Sequence, residues 1–97
     1  MRVGQTRKRD ANEAPIRAAL AQIGVQTWQV SAPGAPDLIY FAPHEHWGVL
    51  EIKMPGKRLT SDEQTFHLNW PGQVCVVESA EEAIQAVYDE AKRKGFL

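Results

Sequence analysis

The sequence predicts an α/β domain in which a mixed four-stranded sheet is flanked by helices. Three observations carry that expectation. Apolar residues three and four apart at Ile16, Ala19, Leu20 and Ile23, and again at Ala83, Ile84, Val87 and Tyr88, mark two amphipathic helices. VQTWQV (25–30), DLIYFA (37–42), WGVLEIK (47–53) and QVCVVE (73–78) are short apolar runs bounded by Gly, Pro and Asp, as strands are. A capped helical segment separates the third strand from the fourth. The first three strands therefore form an antiparallel meander, and the fourth returns through a helical crossover that lets it pair in parallel.

The elements follow in the order α-β-β-β-α-β-α. The first helix begins near Asp10, whose spacing to Glu13 fits a capping box, or near Asn12, which suits Pro15 better, and it ends at Gly24. SAPGAP (31–36) is an irregular loop, and a short polar turn around His44 and Glu45 joins the second and third strands. Thr60 with Glu63, or Ser61 with Gln64, caps the second helix, which stops at Pro71 and Gly72. QVCVVE is apolar almost throughout, which suits a strand covered on both faces by helices. Ser79 with Glu82 opens the third helix and Gly95 closes it.

At 97 residues the chain makes one domain, 1–97, with a basic arm at 1–9 and little surplus stability, so a homo-oligomer is expected. A composition of 43% hydrophobic and 24% charged residues excludes a disordered chain. No apolar run approaches the roughly 20 residues of a membrane span, and MRVGQTRKRD lacks the apolar stretch of a signal peptide; the expected location is cytoplasmic, with no membrane partner. Cys75 is the one cysteine, which rules out an internal disulfide and a cysteine zinc cluster and leaves it as a small core residue.

The formal net charge of −1 gives no global attraction to nucleic acid, so local distribution decides. Basic residues gather at Arg2, Arg7, Lys8 and Arg9, at Lys53, Lys57 and Arg58, and at Lys92, Arg93 and Lys94. The last group complements a helix C-terminus. The first two are candidates for phosphate contacts.

Glu51 and Lys53 stand two apart in GVLEIK, so they share one strand face while Ile52 takes the other. Asp37, after Pro36 at the head of the preceding strand, joins that face only if the hairpin loop holds an odd number of residues. A turn centred on His44 or Glu45 meets the condition. Two carboxylates beside an ammonium suit Mg²⁺, which takes one or two carboxylates and fills its other positions with water and phosphate oxygens. Such an ion would polarise a phosphodiester and activate water for its hydrolysis. Lys53 would orient the water or offset the charge that grows in the transition state. Glu13 adds a further ligand or acid-base group, and Gln64 a hold on lysine, water or DNA.

Glu-x-Lys alone is a weak signal; a Pro-Asp opening one strand, Glu-x-Lys ending the next and a capped helix with Gln64 beyond form a rarer arrangement. APDLIYF, GVLEIKMPGKRLTSDEQ and VCVVES followed by a helix resemble the VRR-NUC domain of the PD-(D/E)xK nuclease superfamily. Gly34-Ala35-Pro36-Asp37, Glu51-Ile52-Lys53, and Leu59 with Gln64 match its motifs, Glu13 matches its first-helix acid, and the likeness runs from about residue 10 to 90. The resemblance implies a restriction-endonuclease-like core. It implies Mg²⁺, for which Mn²⁺ substitutes, held by Asp37, Glu51, the Ile52 carbonyl and Glu13. It also implies a homodimeric endodeoxyribonuclease, of the stand-alone viral or bacterial type, that cuts branched DNA such as four-way (Holliday) junctions, with Arg7, Lys8, Arg9, Lys57 and Arg58 on the DNA.

Other classes compete. A DNA-binding or dimerisation module could keep the fold without the chemistry, but two uncompensated carboxylates would repel a phosphate. An enzyme acting on nucleotides lacks a phosphate-cradling Gly-rich loop. His44, His46 and His67 read as surface histidines. Trp28, Trp47 and Trp70 read as core or dimer packing, with Trp47, Trp70 and Phe96 available to an interface.

Overall fold

A computed structural model describes residues 9–97. The elements are α1 (Glu13–Gln22), β1 (Gln26–Gln29), β2 (Leu38–Ala42), β3 (His46–Ile52), α2 (Ser61–Asn69), β4 (Val74–Val77) and α3 (Ala80–Arg93), in the expected order. The strands lie β1-β2-β3-β4, with β1, β2 and β3 antiparallel in turn and β4 parallel to β3. The mixed four-stranded α/β sheet is therefore present. It is open, with β1 and β4 at its edges.

Local chemistry starts each helix. Asn12 occupies the cap position of α1 without capping it: its side-chain amide donates instead to the carbonyls of Lys53 (3.0 Å) and Glu78 (2.9 Å). That pins the start of α1 to the ends of β3 and β4. Pro15 falls in the first helical turn, where no intrahelical N–H is missed. In α2 the Thr60–Glu63 capping box is complete, and in α3 the Ser79 hydroxyl accepts from the Glu82 amide.

The hairpin between β2 and β3 turns on three residues, 43–45, since Ala42 pairs with His46. The odd count carries the register onward so that Asp37 stands opposite Glu51. His44 (φ 67°) and Glu45 (φ 60°) both take the left-handed conformation that Asn and Gly adopt more cheaply. The double substitution His44→Asn plus Glu45→Gly is therefore expected to stabilise the domain by about 1 kcal/mol. A rise in the urea midpoint without a change in slope would register this.

Ile16 and Leu20 of α1 and Ala83 and Val87 of α3 pack on Leu38, Tyr40, Leu50, Ile52 and Val77, so both long helices cover one sheet face. Gly48 lies under the Tyr40 side chain, where an added Cβ would come within 2.5 Å of the hydroxyl. His46 is buried beside them, its Nε2 3.3 Å from the Tyr40 hydroxyl. This corrects the surface reading of His46, whose parity in β3 is that of Gly48, Leu50 and Ile52.

On the other face α2 reaches only the Glu51 end of β3, and Trp28, Phe41, Trp47 and Val76 remain exposed. QVCVVE is thus covered on one face only. Trp28 and Trp47 stand outside the core, while Trp70 is half-buried and stacks on Phe66 with ring centroids 5.3 Å apart. In α3 the buried stripe runs through Ala83, Val87, Glu90 and Ala91, and Tyr88 is exposed. Glu90 tolerates burial because Arg93 Nε lies 2.6 Å from its carboxylate. Among the described residues no helix is long and apolar enough to cross a membrane.

Candidate active site

Strand alternation sends Leu50 and Ile52 into the core and Glu51 to the opposite face. Asp37 is fixed from two sides. Its carbonyl accepts from the Val30 amide (2.8 Å), and its Oδ2 accepts from the Ile52 amide at 2.7 Å, just past the last β2–β3 pair. The carboxylate is thereby held against β3 beside Glu51. The Ile52 peptide, expected to lend its carbonyl to a metal, thus also anchors Asp37 through its N–H.

Glu51 is only 1% exposed. Burial, a hydrogen bond to Asp37, and the negative charges of Asp37 and Glu63 push its carboxyl up to about 9, against the opposing pull of Lys53. Metal-free, this carboxyl keeps its proton at neutral pH. Its Oε1 is buried without a hydrogen-bond partner.

Lys53 Nζ lies 3.9 Å from Glu51 Oε2 and 2.6 Å from Glu63 Oε1. Burial opposes the ammonium form, but the hydrogen bond to Glu63 and the charges of Glu63, Glu51 and Asp37 prevail and raise the Lys53 pKa. Burial likewise works against ionised Glu63, yet bonds from Lys53 and from the Thr60 amide (2.8 Å) keep its pKa below the ordinary value. One carboxylate thus caps α2 and holds the lysine.

Glu13 is 3% exposed and sits on α1, with Oε2 accepting from Gln29 Nε2 at 2.6 Å. Arg9, expected on DNA, turns inward: its NH1 is 3.5 Å from Glu13 Oε1 and 3.7 Å from Asp37 Oδ1. Its NH2 donates to the Val30 carbonyl and to Ser31 Oγ. Arg9 therefore occupies the gap between the two acids and offsets their charge.

Gln64 is exposed and donates to the Leu59 carbonyl (3.2 Å), while Glu63, one residue earlier, meets Lys53. Lys57 and Arg58 are exposed on the loop after β3. Arg7 and Lys8 lie outside the described residues. Sequence reasoning missed Glu63 as Lys53's partner although the Thr60–Glu63 capping box was legible, and it missed His67, one turn further along α2, whose Nε2 is 4.0 Å from Glu51 Oε1.

The donor set fits a hard divalent cation. Asp37 and Glu51 present adjacent carboxylates, and the orphaned Glu51 Oε1 leaves one lone-pair direction unused. Among the described residues no three His, Cys, Asp or Glu side chains are gathered into a preassembled metal-ligand cluster. The pair alone suffices for Mg²⁺, which keeps waters and takes phosphate oxygens for the remaining positions. A scan against protein-family models finds no match to this chain, and a search of curated proteins finds none either.

Proposed function

We propose that the protein is a divalent-metal-dependent endodeoxyribonuclease that hydrolyses phosphodiester bonds in branched DNA such as four-way junctions. One observation carries the reading: two carboxylates, Asp37 just before β2 and Glu51 on β3, stand side by side with the Lys53 ammonium 3.9 Å from the second. A bound Mg²⁺ or Mn²⁺ supplies Lewis-acid polarisation of the phosphodiester and a more acidic water. Asp37 and Glu51 hold the cation. The Ile52 carbonyl and Glu13 would extend the set, Glu13 once Arg9 leaves the gap between it and Asp37.

Lys53 serves the phosphate. Its ammonium, kept charged by Glu63, donates to a non-bridging oxygen and stabilises the extra negative charge of the transition state. Strand-borne groups keep this geometry better than loop-borne ones, and the Asp37–Ile52 bond adds a cross-strand lock. Lys57, Arg58 and the basic residues that precede Arg9 supply contacts to flanking phosphates. Arg9 neutralises Glu13 and Asp37 until a cation does so.

We further propose that the protein acts as a homodimer. With net charge −1, one chain offers few phosphate contacts, and two-fold pairing doubles them while setting two sites in opposite orientation. The uncovered sheet face with Trp47, together with Trp70 and Phe96, supplies apolar surface for it. Light scattering at micromolar concentration should give twice the chain mass, and end-labelled four-way junctions should be cut in preference to linear duplex of the same sequence. A monomer that cuts both substrates equally would reduce the proposal to a nonspecific nuclease. A protein that binds junctions tightly but leaves them intact with either metal would be the non-catalytic module instead.

A further inference from the structure

The side of the site formed by α2 carries a group that the carboxylate–lysine arrangement leaves unused. His67 Nε2 faces Glu51 Oε1 at 4.0 Å, and both atoms are buried without a hydrogen-bond partner. Two such atoms left facing one another cost free energy unless something sits between them. Their separation is just under twice a metal–ligand bond of about 2.1 Å.

The placement follows from matched spacings. Glu63 and His67 are one helical turn apart on α2, about 6 Å along its axis, and Lys53, just past the end of β3, is two residues from Glu51, about 6.6 Å in extended chain. Glu63 meets Lys53 and His67 meets Glu51, so α2 lies along this end of β3 in the opposite direction. The Glu63–Lys53 ion pair fixes the register and holds the imidazole over the carboxyl. Burial lowers the His67 pKa, and imidazole ligates a metal in its neutral form.

We propose that His67 is a direct ligand of the divalent cation, bridged through it to Glu51, and that this nitrogen donor makes the site select Mn²⁺ and later first-row metals over Mg²⁺. The inference rests on the divalent-cation reading of the Asp37–Glu51 pair. Mg²⁺ prefers an all-oxygen shell, whereas imidazole favours transition metals, so loss of His67 should affect the two ions unequally.

Calorimetric titration of the protein with MnCl₂ and with MgCl₂ should show Mn²⁺ binding the tighter. His67→Ala should weaken Mn²⁺ at least about tenfold and Mg²⁺ less than about threefold. Pulsed electron paramagnetic resonance of the Mn²⁺-loaded wild-type protein should show coupling to an imidazole nitrogen, a readout that needs no variant to fold, and His67→Ala should lose it. Mn²⁺ bound tightly with no nitrogen coupling, or bound equally by His67→Ala, would overturn the role of His67 and leave the carboxylate reading intact. Failure of the wild-type protein to bind Mn²⁺, or binding that Glu51→Gln leaves unchanged, would overturn both.

Discussion

Lys53→Met is expected to lower the rate of DNA cleavage at least about 100-fold, the loss seen when a preorganised donor to a transition-state oxyanion is removed. Metal affinity should stay the same or tighten, because the ammonium 3.9 Å from Glu51 repels a cation that binds there. The split between rate and metal affinity separates Lys53 from Asp37 and Glu51, whose removal should cost both. Glu63→Gln should give a milder loss, since it keeps a hydrogen-bond acceptor for Lys53 but removes the charge that sustains the ammonium. Single-turnover rates at saturating Mn²⁺, set beside calorimetric affinities, measure the two effects independently. Loss of metal binding by Lys53→Met with an intact fold would show that the lysine organises the carboxylates rather than the phosphate.

Glu51→Gln should do the opposite to stability of what it does to activity. The Glu51 carboxyl is raised from its ordinary value to about 9 in the folded protein, so the native state holds a proton that the unfolded chain releases. The contribution of Glu51 to stability is therefore fullest below about pH 4.5 and is lost progressively as pH climbs toward 9. At pH 7.5 this proton linkage weighs against the folded metal-free protein by a few kcal/mol in order of magnitude. Glutamine keeps the shape and escapes the penalty. The variant should melt higher than wild type at pH 8 without metal, with the gap closing toward pH 5. Saturating Mn²⁺ should stabilise the wild-type protein and leave Glu51→Gln unmoved. Equal melting temperatures across that pH range would show that Glu51 is not buried as a protonated acid.

The hairpin parity was legible because strand geometry has a period of two, and a three-residue loop around His44 fixes which residues share a face. The same parity applied to His46 and Trp47 would have placed the first in the core and the second on Glu51's face. There the signal was present and overridden by residue type, since histidine and tryptophan carry strong default expectations. Glu63 in place of Gln64 is a different failure. One residue on a helix is a rotation of about 100°, and the face that α2 turns to β3 depends on how it docks, which local spacing does not encode. The capping box was a partial clue, because it draws the Glu63 side chain back toward the start of α2, where Lys53 lies. The inward turn of Arg9 arises from the joint field of Glu13 and Asp37, 24 residues apart in sequence, and only the assembled sheet and helix create it. Exposure of Val76 was hidden by the apolar run itself, which reads alike in a strand covered on both faces and in an edge strand left open on one.

The most direct test of a metal-dependent nuclease centre at Asp37, Glu51 and Lys53 is a cleavage assay on a labelled four-way junction. Wild-type protein and Glu51→Gln, purified in parallel and matched for fold, are each incubated with Mn²⁺, with Mg²⁺ and with chelator. Wild-type protein should cut the junction with either metal and not with chelator, and Glu51→Gln should leave it intact under all three conditions. Cutting by Glu51→Gln at the wild-type rate, or cutting by wild-type protein that persists in chelator, would contradict the assignment.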